Sequence, residues 1–223
     1  MPVSSQKAET LPVQIEVISD VVCPWCFIGK RRLEAALGAL REDPGMPSIA
    51  VTWRPFQLNP DLPEQGMDRQ EYVSRKFGAS GQQVYARVSA IGREVGIAFD
   101  FAGIRRHPNT LAAHQLIALA GDAGHQDAMV ERLFRAYFLE GADLTRHDVL
   151  LELAVEAGLE CESVRADLAD PARNWAVANE EQAARAMGVE GVPFFVFHRR
   201  LAVSGAHEPE VLVQAIRRAA GTG

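Results

Sequence analysis

Several features on which large protein classes depend are missing from this sequence. No apolar stretch approaches the roughly 20 residues that a membrane-spanning helix needs. The net charge is −6 and no long basic run stands against it, so a concentrated positive surface for nucleic-acid phosphates is lacking. Only three cysteines are present, which excludes a dense disulfide framework. We therefore expect neither a membrane nor a nucleic acid among the partners.

An export signal is also missing from the start of the sequence. Residues 1–10 are polar, and the first apolar stretch, residues 13–18, is interrupted by Gln14 and Glu16. A signal peptide needs an uninterrupted apolar core. We therefore expect a cytoplasmic protein. In that reducing compartment a close pair of cysteines indicates metal binding or catalysis rather than a structural disulfide.

The composition is that of an ordinary globular protein, with 48% hydrophobic and 23% charged residues. The first sixty residues predict a strand at 13–19, a helix ending near Leu40, and a second strand at 49–54. The residues before the helix carry two cysteines. The pattern is that of a strand–helix–strand unit whose most reactive side chains lie where the helix begins.

The middle of the chain, residues 61–187, has a different character. It is rich in Ala, Leu, Glu and Arg and breaks into helical segments separated by glycine. One helix is predicted to begin with Asn109 as its N-cap. Another is predicted to begin at Thr145, with Asp148 completing a capping box.

The end of the chain returns to strand. Residues 194–197 are a continuous apolar run, as expected of a strand that is covered on both faces. A second strand at 201–204 completes a hairpin, and residues 208–220 predict a final helix with Pro209 in its first turn.

The motif that carries chemistry is Cys23-Pro24-Trp25-Cys26. Pro24 suits the first helical position because it has no N–H to leave unsatisfied, which makes Cys23 the N-cap. The sulfur of Cys23 can then accept hydrogen bonds from the first turn and lies at the positive end of the helix dipole, and both effects favour the thiolate. Cys26 lies one turn inward, where we expect it to be more buried and to resolve a mixed disulfide.

Two other interpretations of the cysteine pair stay open at this point. Half of a zinc site is the first, although zinc needs four ligands and the remaining candidates are Cys161 and six scattered histidines. A pair of buried structural thiols is the second. The second interpretation accounts for neither the strand–helix junction nor Pro24.

The motif and its surroundings resemble a known family. Four segments carry the resemblance, in matching order and spacing: residues 19–32 around the cysteines, 55–60 (Pro-Phe-Gln-Leu-Asn-Pro), 133–138 (Leu-Phe-Arg-Ala-Tyr-Phe) and 188–195 (Gly-Val-Glu-Gly-Val-Pro-Phe-Phe). Together they resemble the cytoplasmic DsbA-like proteins of the FrnE type, whose relatives include 2-hydroxychromene-2-carboxylate isomerases and kappa-class glutathione transferases.

The resemblance implies an α/β thioredoxin-like fold with a large all-helical insertion. Residues 11–60 plus 188–223 would form the thioredoxin-like domain, and residues 61–187 the inserted helical subdomain. It also implies that Pro193 is cis and lies beside the cysteines, where the backbone of Val192 can pair with an extended substrate. Asn59 would help to bind a substrate.

Two departures from the relatives bear on the chemistry. Thioredoxins carry a buried acid six residues before the first cysteine; here that position is Val17, and Glu16 points to the opposite face of the strand. Proton transfer to Cys26 must then use water or another group. The glutathione-using relatives have serine at the position of Cys23 and an Asp-Ser pair after the last strand, whereas residues 204–207 lack the aspartate. Both differences favour dithiol chemistry.

The predicted function is therefore thiol–disulfide exchange, with isomerase activity, on protein or glutathione-like disulfides, and without a cofactor or metal beyond the thiols. Glutathione could serve as a co-substrate. The spacer of Pro24 and Trp25 resembles that of glutaredoxins, which predicts a potential of roughly −200 to −230 mV. A glutathione-dependent isomerase or transferase for a small aromatic substrate is the first alternative, and a holdase that grips unfolded chains is the second. The oligomeric state is left open.

Three other features suggest no function. Cys161 lies between two glutamates and is interpreted as a bystander. His114 is interpreted as a packing residue of a helix. The basic run at residues 30–32 is interpreted as a solvated helix face.

Overall fold

The structure, a computed structural model, describes residues 12–221. In chain order its strands and helices are β1 Val13–Ser19, α1 Pro24–Leu40, β2 Ile49–Pro55, β3 Met67–Asp68, α2 Arg69–Phe77, α3 Gly81–Glu94, β4 Arg106–His107, α4 Leu111–Asp122, α5 Gln126–Leu139, α6 His147–Glu156, α7 Cys161–Ala169, α8 Pro171–Ala186, β5 Phe194–Phe197, β6 Leu201–Ser204 and α9 Pro209–Ala220.

A four-stranded sheet holds the two ends of the chain together. Its order is β2–β1–β5–β6, with β1 parallel to β2 and antiparallel to β5. The central strand β1 is paired along both edges: Val17 pairs with Trp53 on one side and with Phe195 on the other. The predicted strand–helix–strand unit and the terminal hairpin are confirmed, and with them the thioredoxin-like fold.

The segment between β2 and β5 is mostly helical, but it is not entirely so. Strands β3 and β4 form a short antiparallel ladder in which Met67 pairs with His107 and Asp68 with Arg106. This ladder corrects the expectation of an all-helical insertion. The domain limits given above stay a prediction.

Two helix starts differ from the predicted ones. Helix α4 has Thr110 as its N-cap, while the side chain of Asn109 accepts a hydrogen bond from the Leu111 N–H at 2.9 Å. Helix α6 begins at His147, because the amide and hydroxyl of Thr145 both donate to Asp143 and hold Thr145 in the preceding turn.

Aromatic side chains join the inserted helices to the sheet domain. Phe27 of α1 stacks on Phe134 of α5 with 5.0 Å between the ring centroids, and Phe138 packs beside them. All three are fully buried. The apolar residues of α5 are therefore part of the core, and α5 covers one side of α1.

Lys30 and Arg32 are buried and Arg31 is half-buried, which makes the interpretation of residues 30–32 as a solvated face wrong. The side chain of Lys30 is 2% exposed and its Nζ lies 3.0 Å from the carboxylate of Asp127 in α5. Arg32 is buried too and pairs with Glu208. Helix α1 is covered on two sides, by α5 and by the segment before α9, and these distant acids are what allow its cations to be buried.

No helix within residues 12–221 is long and apolar enough to cross a membrane.

Candidate active site at the start of helix α1

The cysteine pair lies at the junction that the sequence predicts. Cys23 is the N-cap of α1 with extended backbone angles, and Pro24 follows in the first turn. The Cys23 N–H donates to the carbonyl of Asp20 at 3.0 Å, and the Cys26 N–H donates to the carbonyl of Cys23 at 3.0 Å. These bonds fix the turn that carries the chain from the end of β1 into the helix.

Both thiols are free, and both are buried. Cys26 is 1% exposed and Cys23 is 5% exposed, so the expected difference has the predicted direction. Burial raises the pKa of Cys26 well above its ordinary value; the neighbouring Cys23 thiol and the charge of Asp20 add to the rise. Cys26 is accordingly a protonated thiol at neutral pH, as suits a group that acts second.

The Cys23 thiol does not accept hydrogen bonds from the first turn of α1, although its N-cap position predicts them. No side-chain capping bond is formed; instead Sγ donates to the carbonyl of Val192, 3.5 Å away. This contact places Val192 directly beside the first cysteine.

The loop before β5 forms the other wall of the site. The Val192–Pro193 peptide bond is cis, as the resemblance implies. The N–H of Val192 has no hydrogen-bond partner within residues 12–221, so it is free to pair with an incoming chain. Pro193 lies against α1, where a Cβ added to Gly29 would come within 3.0 Å of its Cγ.

A buried carboxylate that sequence reasoning missed lies behind the cysteines. Asp20 is 0% exposed, and its Oδ2 accepts the Leu58 N–H at 2.7 Å. Its Oδ1 lies 3.5 Å from Nε2 of His114 and has no hydrogen-bond partner among the described residues. The available signal in the sequence was an acidic residue between the strand and the motif, three residues before Cys23.

His114 is a buried, hydrogen-bonded residue of α4, as expected of a packing residue, and it also approaches Asp20. Its Nε2 lies 3.1 Å from the carbonyl of Phe56, an acceptor only, so this nitrogen carries the hydrogen. The same nitrogen faces Asp20. At the position of the thioredoxin acid, Val17 is buried and Glu16 lies on the other face of β1, bonded to Arg54. The carboxylate whose charge acts on Cys26 is therefore that of Asp20.

No hydrogen bond links the side chains of the other predicted site residues to the two thiols among the described residues. Trp25 is half-buried in the first turn of α1 and packs against the core. The amide of Asn59 lies 3.0 Å from the buried ring of His107, and no hydrogen bond joins it to Cys23 or Cys26 among the described residues. Its role in binding a substrate stays a prediction. Cys161 is a free thiol at the start of α7.

Comparison with known proteins agrees with this geometry. The family model of the DSBA-like thioredoxin domain matches residues 14–217. A probable DsbA oxidoreductase from Streptomyces coelicolor is 35% identical, with a TM-score of 0.83 and coverage of 95% of this chain and 91% of that one.

Two further solved structures share the fold at lower identity. The cytosolic disulfide reductase DsbM from Pseudomonas aeruginosa, solved with GSH, is 21% identical, with a TM-score of 0.60 and coverage of 93% and 96%. A 2-hydroxychromene-2-carboxylate isomerase is 16% identical, with a TM-score of 0.71 and coverage of 94% and 99%. At these identities the likeness concerns the fold alone. The family match across residues 14–217 and the 35% identity show that this chain belongs to the DsbA-like thioredoxin domain family of thiol oxidoreductases.

Proposed function

We propose that the protein exchanges disulfides with protein or small-molecule substrates, with Cys23 as the attacking thiol and Cys26 as the resolving thiol. One observation carries the proposal: two free thiols lie at the start of a helix, and the first of them contacts the carbonyl of Val192, a residue whose own N–H is unpaired among the described residues. An extended substrate bonded to that N–H would present its sulfur to Cys23.

The cycle needs only thiols. The Cys23 thiolate attacks one sulfur of a substrate disulfide, forms a mixed disulfide and releases the other sulfur as a thiolate that takes up a proton. Cys26 then loses its proton and attacks Sγ of Cys23, which releases the second substrate thiol. The substrate gains two electrons and two protons, and the protein is left with a Cys23–Cys26 disulfide. An external thiol or dithiol must then reduce it.

The residues around the thiols have distinct parts in this proposal. Pro24 and Trp25 set the spacing and the potential of the pair, while Val192 and Pro193 hold the substrate backbone. Asn59 assists binding from the loop after β2. No metal or organic cofactor takes part.

The compartment and the recycling partner follow from the same chemistry. A reducing cytoplasm would return the oxidised pair to the dithiol, and glutathione is the abundant thiol that could do so. The DsbM neighbour is described as cytosolic and was solved with GSH, which supports both points. A potential of roughly −200 to −230 mV, near the glutathione poise, would also permit isomerase activity, whereas a value below about −270 mV would exclude it.

The test is insulin-disulfide reduction, together with refolding of scrambled ribonuclease, by wild type, Cys23→Ser and Cys26→Ser. We expect Cys23→Ser to be inactive and Cys26→Ser to trap a mixed disulfide. Cys161→Ser is the matched control, because it removes a thiol on a different helix and should retain full activity. If Cys23→Ser and Cys26→Ser both behave like wild type, the pair is not catalytic.

The alternative, a glutathione-dependent isomerase or transferase for a small aromatic compound, has a different signature. It would bind glutathione equally well in wild type and Cys26→Ser, because no resolving thiol is needed. Aggregation suppression that survives replacement of both cysteines by serine would indicate a holdase instead.

A further inference from the structure

Arg69, the first residue of helix α2, is a buried cation without a counter-ion. Three cationic side chains are buried among the described residues: Lys30, Arg32 and Arg69. The first two each contact a carboxylate. Arg69 is 6% exposed and forms no ion pair within residues 12–221. Burial of a guanidinium is costly, and arginine does not lose its proton to escape that cost. An anion bound beside this guanidinium would offset the cost of burying its charge.

The groups that do contact Arg69 are all neutral. Its Nη2 donates to the hydroxyl of Tyr85 at 2.7 Å, and its Nη1 donates to Nδ1 of His107, 3.2 Å away. Burial, with the charge of Arg69, lowers the pKa of His107 to about 3, so the ring is uncharged at neutral pH. Burial raises the pKa of Tyr85, so the phenol is uncharged too. The rings of Tyr72 and Tyr85 face the guanidinium but carry no net charge.

Part of the guanidinium remains available for a ligand. Two of its five N–H groups donate to Tyr85 and His107, which leaves three without an acceptor in the described part of the chain. Neighbouring guanidinium N–H groups form a fork that fits the two oxygens of a carboxylate.

Arg69 lines a cavity of about 650 Å³ between α2, α3 and the segment before β4. Its walls are largely apolar, with Val73, Tyr85, Phe101 and Ile104 among the lining residues. A volume in this range accommodates a small organic molecule. The cavity therefore offers one buried charge and an apolar space, the usual composition of a small-molecule site.

Among the charged residues that line the cavity, Arg69 is the buried one able to bind an anion. Asp68 also lines it, but the side chain of Asp68 accepts the Gln70 and Glu71 N–H groups as the cap of α2. The N–H of Arg69 itself donates to the Arg105 carbonyl at 2.9 Å, so the first turn of α2 has no free amide to offer. The exposed side chain of Arg105, unpaired among the described residues, adds a second positive charge at the rim.

We propose that this cavity binds a small organic carboxylate with an aromatic or branched apolar body. The carboxylate is held by the free N–H groups of Arg69, assisted by Arg105, and the body lies against the apolar walls. None of Cys23, Cys26, Val192 and Pro193 lines the cavity. The site is therefore separate from the dithiol, and the proposal does not depend on the proposed function.

The test is calorimetric titration of the full-length protein with benzoate, with benzyl alcohol as the uncharged analogue and inorganic phosphate as an anion without an apolar body. We expect benzoate to bind with one-to-one stoichiometry and to bind more tightly than either comparison compound. Binding of phosphate as tight as that of benzoate would overturn the assignment to an organic carboxylate, and absence of benzoate binding would overturn the site.

The variants locate the binding. Arg69→Gln should weaken benzoate binding roughly ten-fold to one-hundred-fold, the worth of a charge-assisted hydrogen bond. Arg87→Gln, an exposed arginine of α3 that does not line the cavity, is the matched control and should bind as wild type does. Equal affinities in wild type and Arg69→Gln would overturn the proposal.

A second pair of variants covers the case in which Arg69→Gln does not fold. Ser74→Phe places a ring at an exposed lining position and should abolish benzoate binding by filling the cavity, and Arg105→Gln should weaken it several-fold. Circular dichroism of each variant establishes that it is folded. Undiminished binding to a folded Ser74→Phe protein would place the benzoate elsewhere and contradict the proposal.

Discussion

At the scale of single residues, the pKa of Cys26 is set by its burial more than by any single neighbour. Burial is the largest cause of its raised pKa, and the charge of Asp20 adds to it. Asp20 lies three residues before Cys23 and is itself fully buried. A negative charge near a thiol disfavours the thiolate, so the carboxylate helps to keep Cys26 protonated until a mixed disulfide has formed.

Asp20→Asn should therefore lower the pKa of Cys26. The measurement is a titration of thiolate ultraviolet absorbance in a Cys23→Ser, Cys161→Ser background, where Cys26 is the only thiol left. Glu16→Gln is the control, because its carboxylate lies on the opposite face of β1 and pairs with Arg54. It should leave the titration unchanged. A Cys26 titration that is the same with and without the Asp20→Asn substitution would contradict a charge effect of this carboxylate.

At the scale of elements, helix α1 is positioned by a close approach to the cis-proline loop. Gly29 lies one turn after the cysteines, and a Cβ there would come within 3.0 Å of Pro193 and 3.3 Å of Phe195. Glycine at this position lets the helix lie directly on the loop that carries Val192. The same contact thus links the packing of the core with the placement of the substrate-binding backbone.

Gly29→Ala should destabilise the protein by about 1–3 kcal/mol, the usual cost of overpacking a tight contact. Gly38→Ala is the matched control in the same helix, because nothing lies within 4 Å of its added Cβ. Alanine should stabilise that position by up to about 1 kcal/mol through helix propensity. Urea unfolding of the two variants gives the comparison. A Gly29→Ala protein as stable as Gly38→Ala would show that Pro193 can move away from the added Cβ without a cost in stability.

At the scale of the whole molecule, charges tie the inserted helix α5 to helix α1. Glu131 of α5 contacts both Lys30 and Arg31. Burial alone would raise the pKa of Glu131, but the hydrogen bonds and charges of Arg31 and Lys30 outweigh it, so the pKa lies below the ordinary 4.5. A carboxylate with a lowered pKa stabilises the fold at pH values above its unfolded pKa, and this contribution is lost as the pH falls through the folded pKa.

The stability of the wild type should accordingly fall as the pH drops below about 4.5, and Glu131→Gln should reduce that dependence while lowering stability at pH 7. Glu152→Gln is the control: Glu152 is exposed on α6 and forms no ion pair among the described residues. Urea unfolding at a series of pH values measures the effect. If the free energy of unfolding falls equally in Glu131→Gln and wild type on acidification, protonation of Glu131 does not cause the loss of stability.

Local patterns in the sequence were enough to predict the strands of the main sheet, helices α1 and α9, and the place of the thiols. Strand alternation, helix periodicity and Pro24 at a helix start depend on neighbours along the chain, so the strand–helix–strand unit and the placement of Cys23 at the N-cap were predictable. A predicted helix start was wrong where a side chain forms a different local hydrogen bond. Thr145, for example, bonds to Asp143 and lies in the turn before α6.

The burial of polar groups, and the partners that they meet, came from the tertiary fold alone. Lys30 looked solvated because its partner Asp127 is 97 residues away, and the carboxylate of Asp20 gained its position near His114 from a helix far along the chain. Arg69 could not be distinguished from an ordinary helix-end arginine until the fold buried it without a carboxylate. Burial and ion pairing are properties of distant segments brought together, and for that reason the thiol motif could be found in the sequence while its electrostatic surroundings could not.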